Sequence, residues 1–118
     1  MPGIVQFTTP SGNIRCTMEP STPSGIVCEI QRYDFTWPPR PASCGMEWAS
    51  LLGVTDQGAY IGECVGGEEV TFSSRVLSYG SAIESQGIAC YSGSAALTCV
   101  DLATGHGFDV NRAAFVKF

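Results

Sequence analysis

The one histidine of this chain, His106, stands in "TGHGFDV" between two glycines, with Asp109 just after it and Asp101 just before. An imidazole titrates near neutrality, so with a serine and an orienting carboxylate it would form the core of a hydrolytic site. The surrounding pattern gives little to build one from. There is no Gly-x-Ser-x-Gly elbow, and no second histidine to share a metal. Gly105 and Gly107 instead suit a turn or bulge with φ above zero that enters the last strand. His106 therefore reads as part of a structural corner first, and as a binding residue if its ring is exposed. No catalytic residue is assigned.

Carboxylates are the next candidates, because a pair of them at the right separation hydrolyses glycosides. Glu47, Asp56, Glu63, Glu68, Glu69 and Glu84 could supply a pair, but nothing in their spacing fixes a separation, and a chain this short leaves little room for a deep cleft. "GGEEV", residues 66–70, resembles a solvated turn. Asp101 and Asp109 could join turn carbonyls around calcium, yet no Asp-x-Asp-x-Asp-Gly loop is present. Neither a metal nor a cofactor is expected.

Aromatic residues offer the better binding case. Tyr33, Phe35 and Trp37 alternate, which on a strand would set all three on one face, and Trp48 would join them if Cys44 carried the loop across. Exposed, such a row stacks on sugar rings or anchors a protein partner; buried, it is one wall of the core. With 10% aromatic and only 14% charged residues, burial is the ordinary fate.

Charge narrows the partners. Six Lys+Arg stand against eleven Asp+Glu, a net charge of -5, and the basic residues are scattered singly. Phosphate backbones and anionic membranes need clustered cations, so neither nucleic acid nor a lipid surface fits. No apolar run approaches the ~20 residues of a membrane-spanning helix, and "MPG" at the start has neither the basic nor the apolar region of a signal. A secreted domain would already have lost that segment.

The cysteines decide the class. Cys16, Cys28, Cys44, Cys64, Cys90 and Cys99 are an even set in a small, glycine-rich chain, and no two are close enough to form a zinc knuckle or a redox Cys-x-x-Cys. A disulfide framework outside the cytoplasm is expected.

These features must be positioned by short strands, because Gly, Pro, Ser, Asn and Asp clusters interrupt the apolar runs throughout, and helical periodicity is scarce. In "NIRCTMEPSTPSGIVCEI" a turn over Glu19 to Gly25 sets Cys16 opposite Cys28, Ile14 opposite Ile30 and Met18 opposite Ile26. A loop over Gly93 to Ala96 likewise sets Cys90 opposite Cys99 and Tyr91 opposite Thr98. Directly opposed cysteines fall within the disulfide window. "TDQG" joins Trp48–Val54 to Ala59–Val65 as a third hairpin, although Trp48, Leu51 and Leu52 fit a short helix equally well.

Cys44 and Cys64 pair by elimination, and six cysteines allow fifteen connectivities. Both Gly25-x-x-Cys28 and Gly87-x-x-Cys90 precede a cysteine with the same spacing, a weak repeat. "TWPPRPAS", residues 36–43, must run extended as a stiff spacer. Asn111 suits a cap for a helical turn or a closing strand that tucks Phe115 and Phe118 against the core.

"FTTPSGNIRCTM", "GIVCEI", "LSYGSAIESQGIACYS" and "TGHGFDVNRAAFVKF" together resemble an uncharacterised family of small secreted or lipid-anchored bacterial domains, mainly actinobacterial, with an "SPSGNI-x-C" start and a "GHGF" finish. Asp101 stands where that family usually has Asn, and Asn111 where it usually has Ser. The resemblance implies export and structural disulfides, and brings no mechanism.

The expectation is therefore one domain over residues 4–118, mainly β, a small antiparallel sandwich or partly open barrel built from hairpins. As to function, a monomeric, non-enzymatic binding module of the cell envelope is expected, with a protein or a cell-wall glycan as partner and Tyr33, Phe35, Trp37, Trp48 and His106 as candidate contacts. The alternatives are a small secreted hydrolase using His106 with an acidic partner, or a secreted enzyme inhibitor presenting "STPSG" or "GSAA".

Overall fold

The computed structural model describes residues 5–19, 25–65 and 75–118. These form ten strands and, among the described residues, no helix. The first half of the chain gives β1 (Val5–Thr8), β2 (Ile14–Glu19), β3 (Gly25–Ile30), β4 (Glu47–Thr55) and β5 (Gly58–Val65). The second half gives β6 (Ser81–Ser85), β7 (Ile88–Ser92), β8 (Leu97–Asp101), β9 (Gly107–Val110) and β10 (Phe115–Lys117). Each half is an antiparallel meander, with sheet orders β1-β2-β3-β4-β5 and β10-β9-β8-β7-β6.

Alternation explains which faces meet. In β3 the residues Ile26, Cys28 and Ile30 are buried, and in β8 Leu97, Cys99 and Asp101 are, while their neighbours are half-exposed. Side chains two apart share a face, so each sheet has one apolar face to cover. The two faces cover each other around Phe7, Met18, Leu52, Ile88, Phe108 and Val110, all nearly or fully buried in a single cluster. The fold is a β-sandwich.

Three disulfides staple it. Cys16–Cys28 joins β2 to β3 and Cys90–Cys99 joins β7 to β8, each with Cα atoms 4.1 Å apart, while Cys44–Cys64 ties the β3–β4 connector to β5 at 5.8 Å. The hairpin registers match those expected, with Ile14 opposite Ile30, Met18 opposite Ile26, and Tyr91 opposite Thr98. The Gly-x-x-Cys likeness is a different matter. It equates β3 with β7, whereas in the two meanders the crosslinked second and third strands correspond as β2 with β7 and β3 with β8.

Several expectations are corrected. From Glu47 on, "MEWASLL" is strand, not helix: Leu52 opposes Cys28 on the core face and Leu51 opposes Glu29 on the other, yet both leucines are buried. Burial on both faces, plus an irregularity in the ladder between Ala49 and Leu52, imitates a helical stripe. The "TGHG" turn enters β9, not the last strand. At the C-terminal end, Asn111 Oδ1 accepts from the amides of Ala113 (2.8 Å) and Ala114 (2.9 Å) in a cap-like turn, and of the two alternatives weighed there the closing strand, β10, is the one that follows. Phe115 packs on the core, while Phe118 remains 53% exposed.

The β1–β2, β7–β8 and β9–β10 turns all lie at one end of the sandwich. The β4–β5, β6–β7 and β8–β9 turns lie at the other, a consequence of the up-and-down order. Residues 31–46 cross between β3 and β4 without forming a strand. That crossing segment and the β9–β10 hairpin build the clefts described next.

Candidate functional site

His106 lies in the β8–β9 turn, and the turn itself explains the motif. Asp101 is buried, and its Oδ1 accepts from the amides of Ala103 (2.9 Å) and Thr104 (3.3 Å); the Gly105 amide donates to the Asp101 carbonyl (2.8 Å). Gly105 takes φ +81, where a side chain is strained. Gly107 answers a different need. A Cβ there would sit 2.3 Å from the Cys99 carbonyl oxygen and 2.7 Å from the Phe118 ring. Gly107 and Phe118 also exchange both backbone hydrogen bonds, at 3.1 and 2.9 Å.

His106 itself is exposed, and among the described residues no carboxylate forms an ion pair with it. The two carboxylates near it in sequence are engaged elsewhere. Asp101 holds the turn, and Asp109, on the opposite face of the sheet, accepts from the Thr98 hydroxyl at 2.5 Å. Among the described residues no three His, Cys, Asp or Glu converge as metal ligands. Replacing His106 by alanine is expected to leave stability within about 0.5 kcal/mol of wild type, checked by denaturant unfolding, because an exposed ring without a hydrogen-bonding partner contributes little.

The other acidic candidates are dispersed. Asp56 is exposed in the β4–β5 turn, Glu84 is exposed on β6 of the other sheet, and Glu63 is half-buried on β5. Glu47 begins β4, while Glu68 and Glu69, like most of "STPSG", lie outside the described residues. "GSAA", residues 93–96, is the β7–β8 turn.

The aromatic row behaves differently. Tyr33, Phe35 and Trp37 sit in the crossing segment and not on a strand, so alternation does not align them. Even so, the three rings form a triangle, with centroids 5.4, 5.4 and 5.6 Å apart. Edge-to-face and tilted contacts at this separation are the favourable ones. Tyr33 is exposed at the rim, while Phe35 and Trp37 are half-buried against the core. Trp48 joins this surface through a hydrogen bond from its Nε1 to the Pro38 carbonyl (2.9 Å), and its ring lies over Gly62.

Between this segment and the facing sheet edges lies a cavity of about 440 Å³. Phe35, Trp37 and Pro38 wall one side, and Ile61 of β5 with Phe115 and Lys117 of β10 wall the other. The size falls within the range of small-ligand pockets. The Trp37 indole Nε1 is buried here without a hydrogen-bond partner. A second, polar cleft of about 250 Å³ opens at the end opposite His106, between the β1–β2, β7–β8 and β9–β10 turns. Arg32 and Arg112 line it.

Sequence reasoning missed Arg32, Arg112, Ile61 and Lys117, because each reaches its cleft only through tertiary assembly. A signal for part of this was nevertheless present. "SGNI" near the start and "VNR" near the end supply Ser11, Asn13, Asn111 and Arg112 to the same polar cleft.

Fold and clefts together define a small disulfide-stapled antiparallel β-sandwich with ligand-sized recesses at its loop end and along one side. The chain belongs to DUF6636, a family of unknown function whose model matches residues 2–118. No curated protein and no solved structure matches it. Three disulfides in so small a fold are characteristic of proteins in oxidising surroundings, outside the reducing cytosol.

Proposed function

We propose that this protein is a non-enzymatic binding module of the cell envelope, and that it holds a protein or cell-wall glycan partner at the aromatic cleft of Phe35, Trp37 and Phe115. One observation carries the reading: the Trp37 Nε1–H is buried in the wall of an apolar cleft and has no acceptor. An unpaired buried donor costs roughly 1–3 kcal/mol, a cost removed by a ligand that presents a hydroxyl or carbonyl oxygen there. The flat Phe35 and Phe115 faces suit a sugar ring or an apolar anchor, and Lys117 adds a cation at the rim. Rigidity imposed by Cys44–Cys64, which anchors the crossing segment to β5, lowers the entropy lost on binding.

The test is retention of the oxidised protein on insoluble cell-wall polysaccharide and capture of envelope proteins by the same material. Wild type is expected to be retained on one of these, Trp37→Ala to lose most of the retention, and Trp37→Phe, which keeps the ring but not the N–H, to lose about tenfold in affinity. Equal retention of wild type and Trp37→Ala would exclude this cleft as the binding surface.

A further inference from the structure

We infer that the polar cleft at the loop end binds a carboxylate carried on a hydroxylated body, the chemistry of a sugar acid. This site shares no lining residue with the aromatic cleft and goes beyond the reading above.

Charge is the first ground. The chain has only six Lys+Arg within a net charge of -5, yet two of the six, Arg32 and Arg112, line one recess. Their backbones are pinned. Asn13 clamps Arg32 from both sides, with its Oδ1 accepting the Arg32 amide (2.7 Å) and its Nδ2 donating to the Arg32 carbonyl (3.0 Å). The Arg112 carbonyl accepts the Asp34 amide at 2.7 Å. Both exposed arginine side chains thus start from anchored backbone at the rim of one recess.

The size of the charge selects the anion. Arg112 Nε lies 3.4 Å from Asp34 Oδ2, a pair in which both side chains are more than 60% exposed and which is therefore weak. Two guanidinium charges less one carboxylate leave a local charge of +1. A monoanion balances that charge, whereas a phosphate approaching −2 would not. A planar carboxylate also matches the parallel N–H groups of a guanidinium.

The remaining walls select the body. Ser94 and Tyr79 offer hydroxyl groups at the rim, and the exposed Tyr79 ring, with the Ala95 and Ala96 methyl groups, gives an apolar face for a sugar ring. At about 250 Å³ the recess lies just below the range for drug-sized ligands, which suits one sugar unit or the end of a chain of them.

The experiment is an amide-shift titration of the 15N-labelled, oxidised protein with glucuronate, run beside glucose, acetate, inorganic phosphate and a short peptide with a free C-terminal carboxylate. Glucuronate is expected to shift Asn13, Ser94, Ala95 and Asn111 saturably, and to bind at least tenfold tighter than any of the other four. Arg32→Gln is expected to weaken glucuronate at least tenfold while the rest of the spectrum stays unchanged, and Asp34→Asn, which releases Arg112, to strengthen it several-fold. Glucose equal to glucuronate would remove the charge argument, and acetate equal to it would remove the hydroxylated body. Tighter binding of phosphate or peptide, or an Arg32→Gln variant that binds like wild type, would overturn the assignment.

Discussion

Replacing Gly107 by valine is expected to destabilise the protein by about 3 kcal/mol or more and to lower its Tm by roughly 10 °C, as measured by denaturant and thermal unfolding. The reason is contact with backbone, which cannot rotate away. A Cβ at Gly107 would lie 2.3 Å from the Cys99 carbonyl oxygen, and relieving that overlap would push β9 away from β8 next to the Cys90–Cys99 crosslink. The Phe118 ring over Gly107 would be displaced as well, together with the paired hydrogen bonds between these residues. Gly105 offers a graded comparison: it has open space around its Cβ position but φ +81, so alanine there should cost only about 1–2 kcal/mol. A Gly107→Val protein within 1 kcal/mol of wild type would show that the strands separate freely, and would undo this account of "GHGF".

Removing disulfides gives the second large effect, and the order of the losses is informative. In the chain-entropy model the loops closed by Cys44–Cys64, Cys16–Cys28 and Cys90–Cys99, with sequence separations of 20, 12 and 9, contribute about 3.3, 2.9 and 2.7 kcal/mol. Loop length alone would therefore make Cys44–Cys64 the costliest to lose. Burial reverses this. The four sulfurs of the other two crosslinks belong to residues no more than 1% exposed, inside the core between the sheets, whereas Cys64 is half-buried. Alanine pairs at the core positions leave voids as well as longer loops, adding roughly 1 kcal/mol or more. Denaturant unfolding of the three double-alanine variants should place Cys44–Cys64 as the mildest loss, and finding it the most severe would mean that loop entropy dominates over packing.

Much of this architecture was legible because disulfides and turns report register. Fixing Cys16 opposite Cys28 and Cys90 opposite Cys99 determines every pair in those two hairpins, and "TDQG" marks a third. The β6–β7 hairpin was harder to see. Its two-residue turn is Gln86-Gly87, with Gln86 at φ 56, a position where Asn, Asp or Gly is the usual signal. β10 is only three residues long and mostly exposed, and so carries almost no pattern.

The sites divide in the same way. Tyr33, Phe35 and Trp37 were identifiable as a group because they are close in sequence, but the reason given, a shared strand face, was not the one that unites them. Ile61 and Phe115 meet Trp37 only because the β5 and β10 edges lie side by side, a relation that no local pattern encodes. His106 stood out by composition alone, and composition carries no information about partners.

Every crosslink lies within one half of the chain: Cys16–Cys28 and Cys44–Cys64 in the first sheet and its connector, Cys90–Cys99 in the second. The halves meet through apolar contact, through the short bridge by which Thr8 pairs with Val76, and through the hydrogen bond and ion pair between Asp34 and Arg112. Covalently, then, the protein is two separately crosslinked halves of one chain, and the surface between them has the make-up of a permanent subunit interface. Supplied as two separate chains, the halves would therefore be expected to reassemble, with Ile61 of the aromatic cleft on one and Phe115 on the other.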